Sequence, residues 1–337
     1  MNLHTFINSS VESLSVHYPV QEAKAIAVRL LKESLHGYKG YEHLVEPGWE
    51  LDSFSPAEGL AQDGRSVCKA EADGGAESFL VCCVERLAAG EPLQYVLGYE
   101  WFCGHRFNVA PGVLIPRPET EELVQQIVRA AGAMSQGANS LAAGMQGAIC
   151  KNVIGQGAIK VLDICTGSGC IALSVAAAVE GAHVFGCDIS PVALEVSRGQ
   201  RVCSESGEPV EVKFFECDIL SPKAQEVILS GCGEGCFDII VSNPPYVCEC
   251  EKELMHKNVL DHEPHLALFV PDTDPLRFYR RIGELSGSLL KKGGMLFFEI
   301  NERFGNETVA MLEGLGFTDC KVLQDLFGKE RMVLAKK

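Results

Sequence analysis

Two short stretches hold residue types from which chemistry can be built. In Asp163-Ile164-Cys165-Thr166-Gly167-Ser168-Gly169 an apolar run ends in glycines, which let a backbone turn sharply or approach a ligand closely. Asp188 ends the next apolar run, about twenty residues after the loop, where a carboxylate can accept both hydroxyls of a ribose. Asp218 ends a third run, and it or its neighbour Ile219 can border an adenine. These strand ends describe an adenosine-containing cofactor. The second stretch, Asn243-Pro244-Pro245-Tyr246, closes the run Phe237-Asp238-Ile239-Ile240-Val241 with an amide, two rigid rings and an aromatic. That is a more particular stop than a buried strand needs.

Spacing alone leaves alternatives open. A nicotinamide fingerprint prefers GxGxxG, and here Cys165 stands where the first glycine belongs and Ala172 where the last belongs. The loop therefore lacks the tightest glycine for a pyrophosphate. Taken singly, it is also a plain turn without a ligand. Asn-Pro-Pro-Tyr is likewise a plain strand terminator, since both residue types are common in turns.

The elements that must position these residues follow from periodicity. From Met1 to about Ala89 apolar residues recur at helical spacing, as in Ala23, Ile26, Ala27, Leu30 and Leu31, and again in Phe79, Leu80, Cys83, Val84 and Leu87. Residues 1–89 read as a helical domain, with loops within Gly37 to Gly75. Residues 90–114 read as a linker with a β-hairpin between Val96 and Val109. A helix is expected from about Pro118-Glu119-Thr120 through Val128, and residues 132–157, small and low in complexity, read as a surface insertion, preferably a weak helix plus loop. Beyond it strands and helices alternate, with a terminal strand pair. This predicts a doubly wound α/β sheet in a domain spanning 115–337.

Bulk composition narrows the function classes. The chain has 337 residues, enough for two domains, and no apolar run long enough to cross a membrane. Its N-terminus lacks the basic and apolar regions of an export signal, so a cytoplasmic location is expected. With 29 basic against 45 acidic residues and a net charge of −16, it shows no basic stripe for a nucleic-acid backbone. Direct nucleic-acid binding is disfavoured. The fifteen cysteines are scattered and odd in number, which reads as reduced thiols. Cys232, Cys236, Cys248 and Cys250 do not follow a standard zinc spacing, so no metal is expected.

Downstream of such a glycine turn, Asn243-Pro244-Pro245-Tyr246 resembles the strand-end motif of amino-group methyltransferases that use S-adenosyl-L-methionine. A planar amide nitrogen is a poor nucleophile because its lone pair is delocalised. The Asn243 oxygen and the Pro244 carbonyl can accept the two N–H bonds of a target NH₂, while Tyr246 packs on the planar group. Positioning and electrostatics would carry the transfer.

More of the chain matches one family. "GEPLQYVLG" (90–98), "IPRPETEELV" (115–124), "NPPY", "HEPHLALF" (262–269) and "DLFGKERMV" (325–333) together resemble the release factor glutamine methyltransferases, the PrmC/HemK family. The resemblance implies a Rossmann-like class I methyltransferase sheet behind a small helical domain and a linking hairpin. It implies methylation of the side-chain amide nitrogen, N5, of the glutamine in the Gly-Gly-Gln motif of peptide chain release factors.

Carried over residue by residue, Cys165, Thr166, Gly167, Ser168 and Gly169 form the cofactor loop, Asp188 meets the ribose, Ile219 lies beside the adenine, and Thr120 lies near the cofactor. Asn243 touches cofactor and glutamine, and Pro244, Pro245 and Tyr246 complete the glutamine pocket. The helical domain is assigned to recognition of the protein substrate, and Arg117 and Glu119 to holding hairpin and helix together. Cys165 stands where relatives commonly carry glycine, and Ile219 where some relatives carry an aromatic. Two rival classes share parts of this pattern: DNA adenine-N6 methyltransferases, which act on a similar flat NH₂, and a non-catalytic S-adenosylmethionine-binding adaptor of translation. Bland readings are preferred for His262 and His265 as surface histidines and for Cys248 and Cys250 as free thiols, while Glu299 is as apt to hold the sheet edge as to face substrate.

Overall fold

The computed structural model describes residues 3–35, 76–136, 158–233 and 236–337. The expected loops of 37–75, and the insertion from residue 137 onward, lie outside them. In chain order the elements are α1 (Leu3–Leu14), α2 (Val20–Leu35), α3 (Ala76–Ala88), α4 (Leu93–Leu97), β1 (Tyr99–Phe102), β2 (His105–Asn108), α5 (Pro118–Gln136) and β3 (Lys160–Ile164). They continue through α6 (Cys170–Ala178), β4 (His183–Asp188), α7 (Pro191–Arg198), β5 (Val212–Glu216), α8 (Ala224–Cys232), β6 (Phe237–Ser242), β7 (Val247–Cys248), α9 (Lys257–His262) and α10 (His265–Leu268). The remainder are β8 (Phe269–Val270), α11 (Arg277–Leu289), β9 (Leu290–Glu299), α12 (Gly305–Gly314), β10 (Thr318–Gln324) and β11 (Glu330–Lys336).

The chain divides into two compact units. One comprises Met1–Tyr99 with His256–His262, the other Glu100–Met255 with Glu263–Lys337. In the first, Leu30, Leu80 and Leu87 are fully buried and pack with Phe6, Leu14, Ile26 and Cys83. The helical spacing read in the sequence therefore marks a real core stripe. This unit runs past Ala89 through α4, and it takes in α9, which no local pattern ties to it.

Two element bounds sharpen. The hairpin lies between Val96 and Val109 as expected, though Val96 and Leu97 themselves belong to α4, which ends at Gly98 in the left-handed region. Its strands start at Tyr99, and its loop is Cys103-Gly104, both with positive φ. Two-residue hairpin loops require this where their twist matches the strands. Helix α5 runs past Val128 to Gln136, so residues 132–136 are helix, in keeping with the helix-plus-loop reading of that stretch. Alanine and glutamine there are good helix formers.

The main sheet has seven strands in the order β10-β11-β9-β6-β3-β4-β5, with β11 antiparallel to its neighbours. Strands β3 and β6 are buried over nearly their whole length, with apolar clusters on both faces. Their apolar residues accordingly stand in succession, as in Val161-Leu162 and Ile239-Ile240-Val241, rather than in alternation. From β3 the chain winds outward through β4 and β5, then returns to place β6 on the other side of β3. The strand order reverses there, and ligands of doubly wound sheets bind at such a crevice. Register sets the alignment: Ile164 pairs with Cys187 and Ser242, and Ser242 with Phe298. The next residue of each strand is Cys165, Asp188, Asn243 or Glu299, so these four stand in one row along the carboxyl edge.

Candidate active site

The loop after β3 turns through left-handed backbone at Cys165 (φ 61°), Gly167 (φ 55°) and Gly169 (φ 80°). Glycine adopts this region freely, whereas a cysteine is strained there. Gly169 is required for a second reason. A Cβ on it would lie 2.9 Å from Phe214 Cζ and 3.1 Å from Ser197 Cβ. A Cβ on Gly167 would meet nothing within 4 Å, so the tip of the loop faces open space. The Cys165 thiol is held well above its ordinary pKa by burial and by the carboxyls of Asp188 and Asp163, and is therefore neutral.

Two carboxyls brace this loop. Asp163 is fully buried and accepts the Thr166 hydroxyl at 2.6 Å. Burial pushes its pKa up to about 7 against that bond. Asp188 accepts the Gly167 N–H on Oδ2 and the Ser190 N–H on Oδ1, each at 2.9 Å. Burial raises its pKa, and the backbone donors oppose the rise. Each Asp188 oxygen keeps a further lone pair for a hydroxyl.

Above the strand ends lies a cavity of ≈ 230 Å³. Its wall includes the four loop residues Cys165 to Ser168 but not Gly169, together with Asp188, Asp218, Ile219, Thr120, Asn243 and Pro245. Val113, Ile115, Leu220, Leu266 and Phe278 supply apolar surface. These residues fit S-adenosylmethionine: a carboxylate for ribose hydroxyls, buried Ile219 and neighbouring Leu220 for a flat base, and an open glycine where backbone can approach. Pro244 and Tyr246 do not line the cavity. Pro244 is buried, and Tyr246 turns its hydroxyl inward.

That hydroxyl leads to Glu299, which the sequence leaves open between holding the sheet edge and facing substrate. Glu299 at the end of β9 is 3% exposed, accepts the Tyr246 hydroxyl on Oε1 at 3.0 Å and the Thr120 hydroxyl on Oε2 at 2.5 Å. Thr120 Oγ1 in turn accepts Asn243 Nδ2 at 3.4 Å. Burial raises the Glu299 pKa, opposed by the two hydroxyl donors and by Arg331. The Tyr246 phenol is held well above its usual value by burial and the Glu299 carboxyl. Tyr246 is further fixed through its backbone, its N–H donating to Leu268 and its carbonyl accepting Asn301 Nδ2. The available signal was a lone carboxylate closing the apolar run Leu296-Phe297-Phe298.

Other supports were also missed. Gln200 clamps β2 to the glycine loop, accepting the Asn108 N–H and donating to the carbonyls of Asn108 and Ser168. Glu263 is buried and accepts the Ile115 N–H at 3.2 Å and the Arg117 guanidinium at 2.6 Å, fixing the segment that roofs the cavity. His262 and His265 lie outside the cavity wall. Cys248 is buried with its thiol pushed up to about 11, and Cys250 is exposed. Among the described residues no cluster of His, Cys, Asp and Glu is arranged to hold a metal ion.

The "Methyltransferase domain" family model matches residues 156–301. The chain is 44% identical over 252 residues to the release factor glutamine methyltransferase of Bacteroides thetaiotaomicron, covering 75% of this chain and 78% of that protein. It is 34% identical over 312 residues to the one of Geobacter sulfurreducens, covering 91% and 95%. A solved structure, the release factor-specific protein-(glutamine-N5) methyltransferase of Alicyclobacillus acidocaldarius, is 25% identical with a TM-score of 0.36, covering 68% of this chain and 99% of that one.

Proposed function

The chain belongs to the release factor glutamine methyltransferases, and on that premise we propose how its strand-end residues divide the work. It is an S-adenosylmethionine-dependent protein-glutamine N5-methyltransferase. When bound, S-adenosylmethionine supplies a methyl group activated by the adjoining sulfonium. Asp188 takes the ribose hydroxyls, Ile219 borders the adenine, the loop from Cys165 to Gly169 cradles the remainder, and Thr120 closes the side nearest Asn243. Asn243 Oδ1 and the Pro244 carbonyl accept the two N–H bonds of the glutamine amide. Pro245 and the Tyr246 ring confine its plane, so the nitrogen lone pair faces the methyl donor. An amide so held needs orientation more than a strong base. Its nitrogen gains the N–CH₃ bond as the S–CH₃ bond breaks, leaving a neutral thioether in place of the sulfonium, and one amide proton is released to solvent.

The observation that supports this reading is the standing of Asn243 and Pro245 in the same cavity wall as Gly167 and Asp188. We assign residues 1–89 to docking the release factor, 90–114 to a linker and 115–337 to catalysis. We place the activity in the cytoplasm, where release factors act. Among the described residues no helix is long and apolar enough to cross a membrane.

Incubation with labelled cofactor, and separately with a recombinant release factor or unmethylated duplex DNA, tests the substrate. Label on the Gly-Gly-Gln glutamine is expected. Label on DNA alone refutes the reading. Deleting residues 1–89 should raise KM for the whole release factor far more than it weakens cofactor binding. Equal loss of both would move those helices from docking to support of the fold.

A further inference from the structure

We infer that Glu299 is a positioning residue for methyl transfer: by holding the Thr120 hydroxyl proton it turns the Asn243 amide so that its oxygen, not its NH₂, meets the substrate. The inference rests on the acceptor role proposed for Asn243.

It follows from counting protons. An ionised carboxylate only accepts hydrogen bonds, and a hydroxyl has one proton to give. Glu299 Oε1 receives the Tyr246 proton and Oε2 the Thr120 proton. With its proton committed, Thr120 Oγ1 can only accept from the group 3.4 Å away on Asn243, and that group must be the NH₂. Asn243 Oδ1 then has no partner among the described residues and is left for an incoming N–H. Remove the carboxylate's demand, and the Thr120 proton can turn to Asn243. The favoured amide is then the flipped one, which sets NH₂ against the NH₂ of the substrate.

Thr120 is 2% exposed and Glu299 3%, so water cannot readily take over either bond. The three residues come from α5, the end of β6 and the end of β9, and β6 and β9 are adjacent parallel strands. The register fixes Asn243 and Glu299 side by side while α5 lays Thr120 between them. A carboxylate that only supported the sheet edge would have no reason to meet the hydroxyl that touches the reacting site's amide.

The charged and titratable groups facing Glu299 are Arg331 from β11, Glu119 from α5, Tyr246 after β6 and Tyr279 from α11. Its pKa lies above that of an ordinary carboxylate, so as pH falls it takes up a proton earlier than a surface glutamate does. A protonated Glu299 can donate back to Thr120 and free the hydroxyl. Turnover therefore falls on the acid side through that ionisation.

The test compares wild type, Glu299→Gln, Thr120→Val and Thr120→Ser for kcat and KM on a release factor, cofactor Kd by calorimetry, and the pH profile of kcat. Glu299→Gln is expected to lower kcat by about tenfold to a hundredfold, the scale of small misplacements, with cofactor Kd changed by no more than about twofold. Its acid limb should vanish. Thr120→Ser should retain more turnover than Thr120→Val, which has the shape but not the hydroxyl.

A folded Glu299→Gln enzyme with wild-type kcat and an unchanged acid limb overturns the inference, as does a loss shared equally by kcat and cofactor affinity. If Glu299→Gln does not fold, the threonine pair decides: equal turnover in Thr120→Val and Thr120→Ser overturns it. Wild type that leaves the release factor unmethylated overturns the functional reading itself, before any variant is compared.

Discussion

The backbone N–H of Gly167 donates to Asp188 Oδ2 at 2.9 Å, so the carboxylate at the end of β4 holds the tip of the loop that follows β3. The residue proposed for the ribose thus also shapes the loop proposed to hold the rest of the cofactor. Its second oxygen, bonded to Ser190 N–H, braces the turn into α7. Asp188 cannot be read as an acceptor waiting for a ligand alone.

Replacing Asp188 by alanine should weaken cofactor binding by about 1.5–3 kcal/mol, the scale of a lost charge-assisted hydrogen bond. It should also lower the melting temperature of the cofactor-free protein, because two backbone donors lose their acceptor. Calorimetry and a thermal melt separate the effects. A folded variant of unchanged affinity would remove Asp188 from the site.

Asn243→Ala should depress turnover on a release factor by roughly two to three powers of ten, as when one preorganised polar contact is lost from a transition state. Single-turnover rates are the measurement. A wild-type rate would reduce the Asn-Pro-Pro-Tyr stretch to a strand terminator.

Tyr246→Phe keeps the ring but leaves Glu299 Oε1 without its donor. The variant should be about 1–3 kcal/mol less stable, the scale of a buried polar group left unpaired. Its turnover should fall less than that of Tyr246→Ala, which also loses the packing face. Denaturant midpoints matching wild type would show that the hydroxyl contributes nothing to holding the ring.

Asp163 provides a pH signature. Its pKa rises from an ordinary 3.8 to about 7 in the folded chain, so folding favours the protonated form. That contribution is fully present below about 4 and is lost as pH rises towards 7, amounting to a few kcal/mol at about 1.4 kcal/mol per pKa unit. Asp163→Asn does not titrate there, so the stability difference between wild type and variant should shift in the variant's favour from pH 4 to pH 8. Parallel stability curves for the two proteins would contradict the assignment.

Several parts of this molecule were legible in local sequence because the relevant physics is local. Helical spacing marked Leu30, Leu80 and Leu87 as core, and the successive apolar residues Val161-Leu162 and Ile239-Ile240-Val241 marked β3 and β6 as strands. Glycine where φ must be positive marked Gly167 and Gly169. The stop at Asn243 to Tyr246 was also readable as the end of an apolar strand, and β6 does close at Ser242. Tertiary structure alone decided that Thr120, Asn243, Tyr246 and Glu299 share one line of hydrogen bonds. Nothing near Glu299 in the chain announces Thr120, 179 positions away. A side-chain hydrogen bond depends on which strands are neighbours and on their register to within a single residue, and those are set by packing of the whole sheet, not by any window of the sequence.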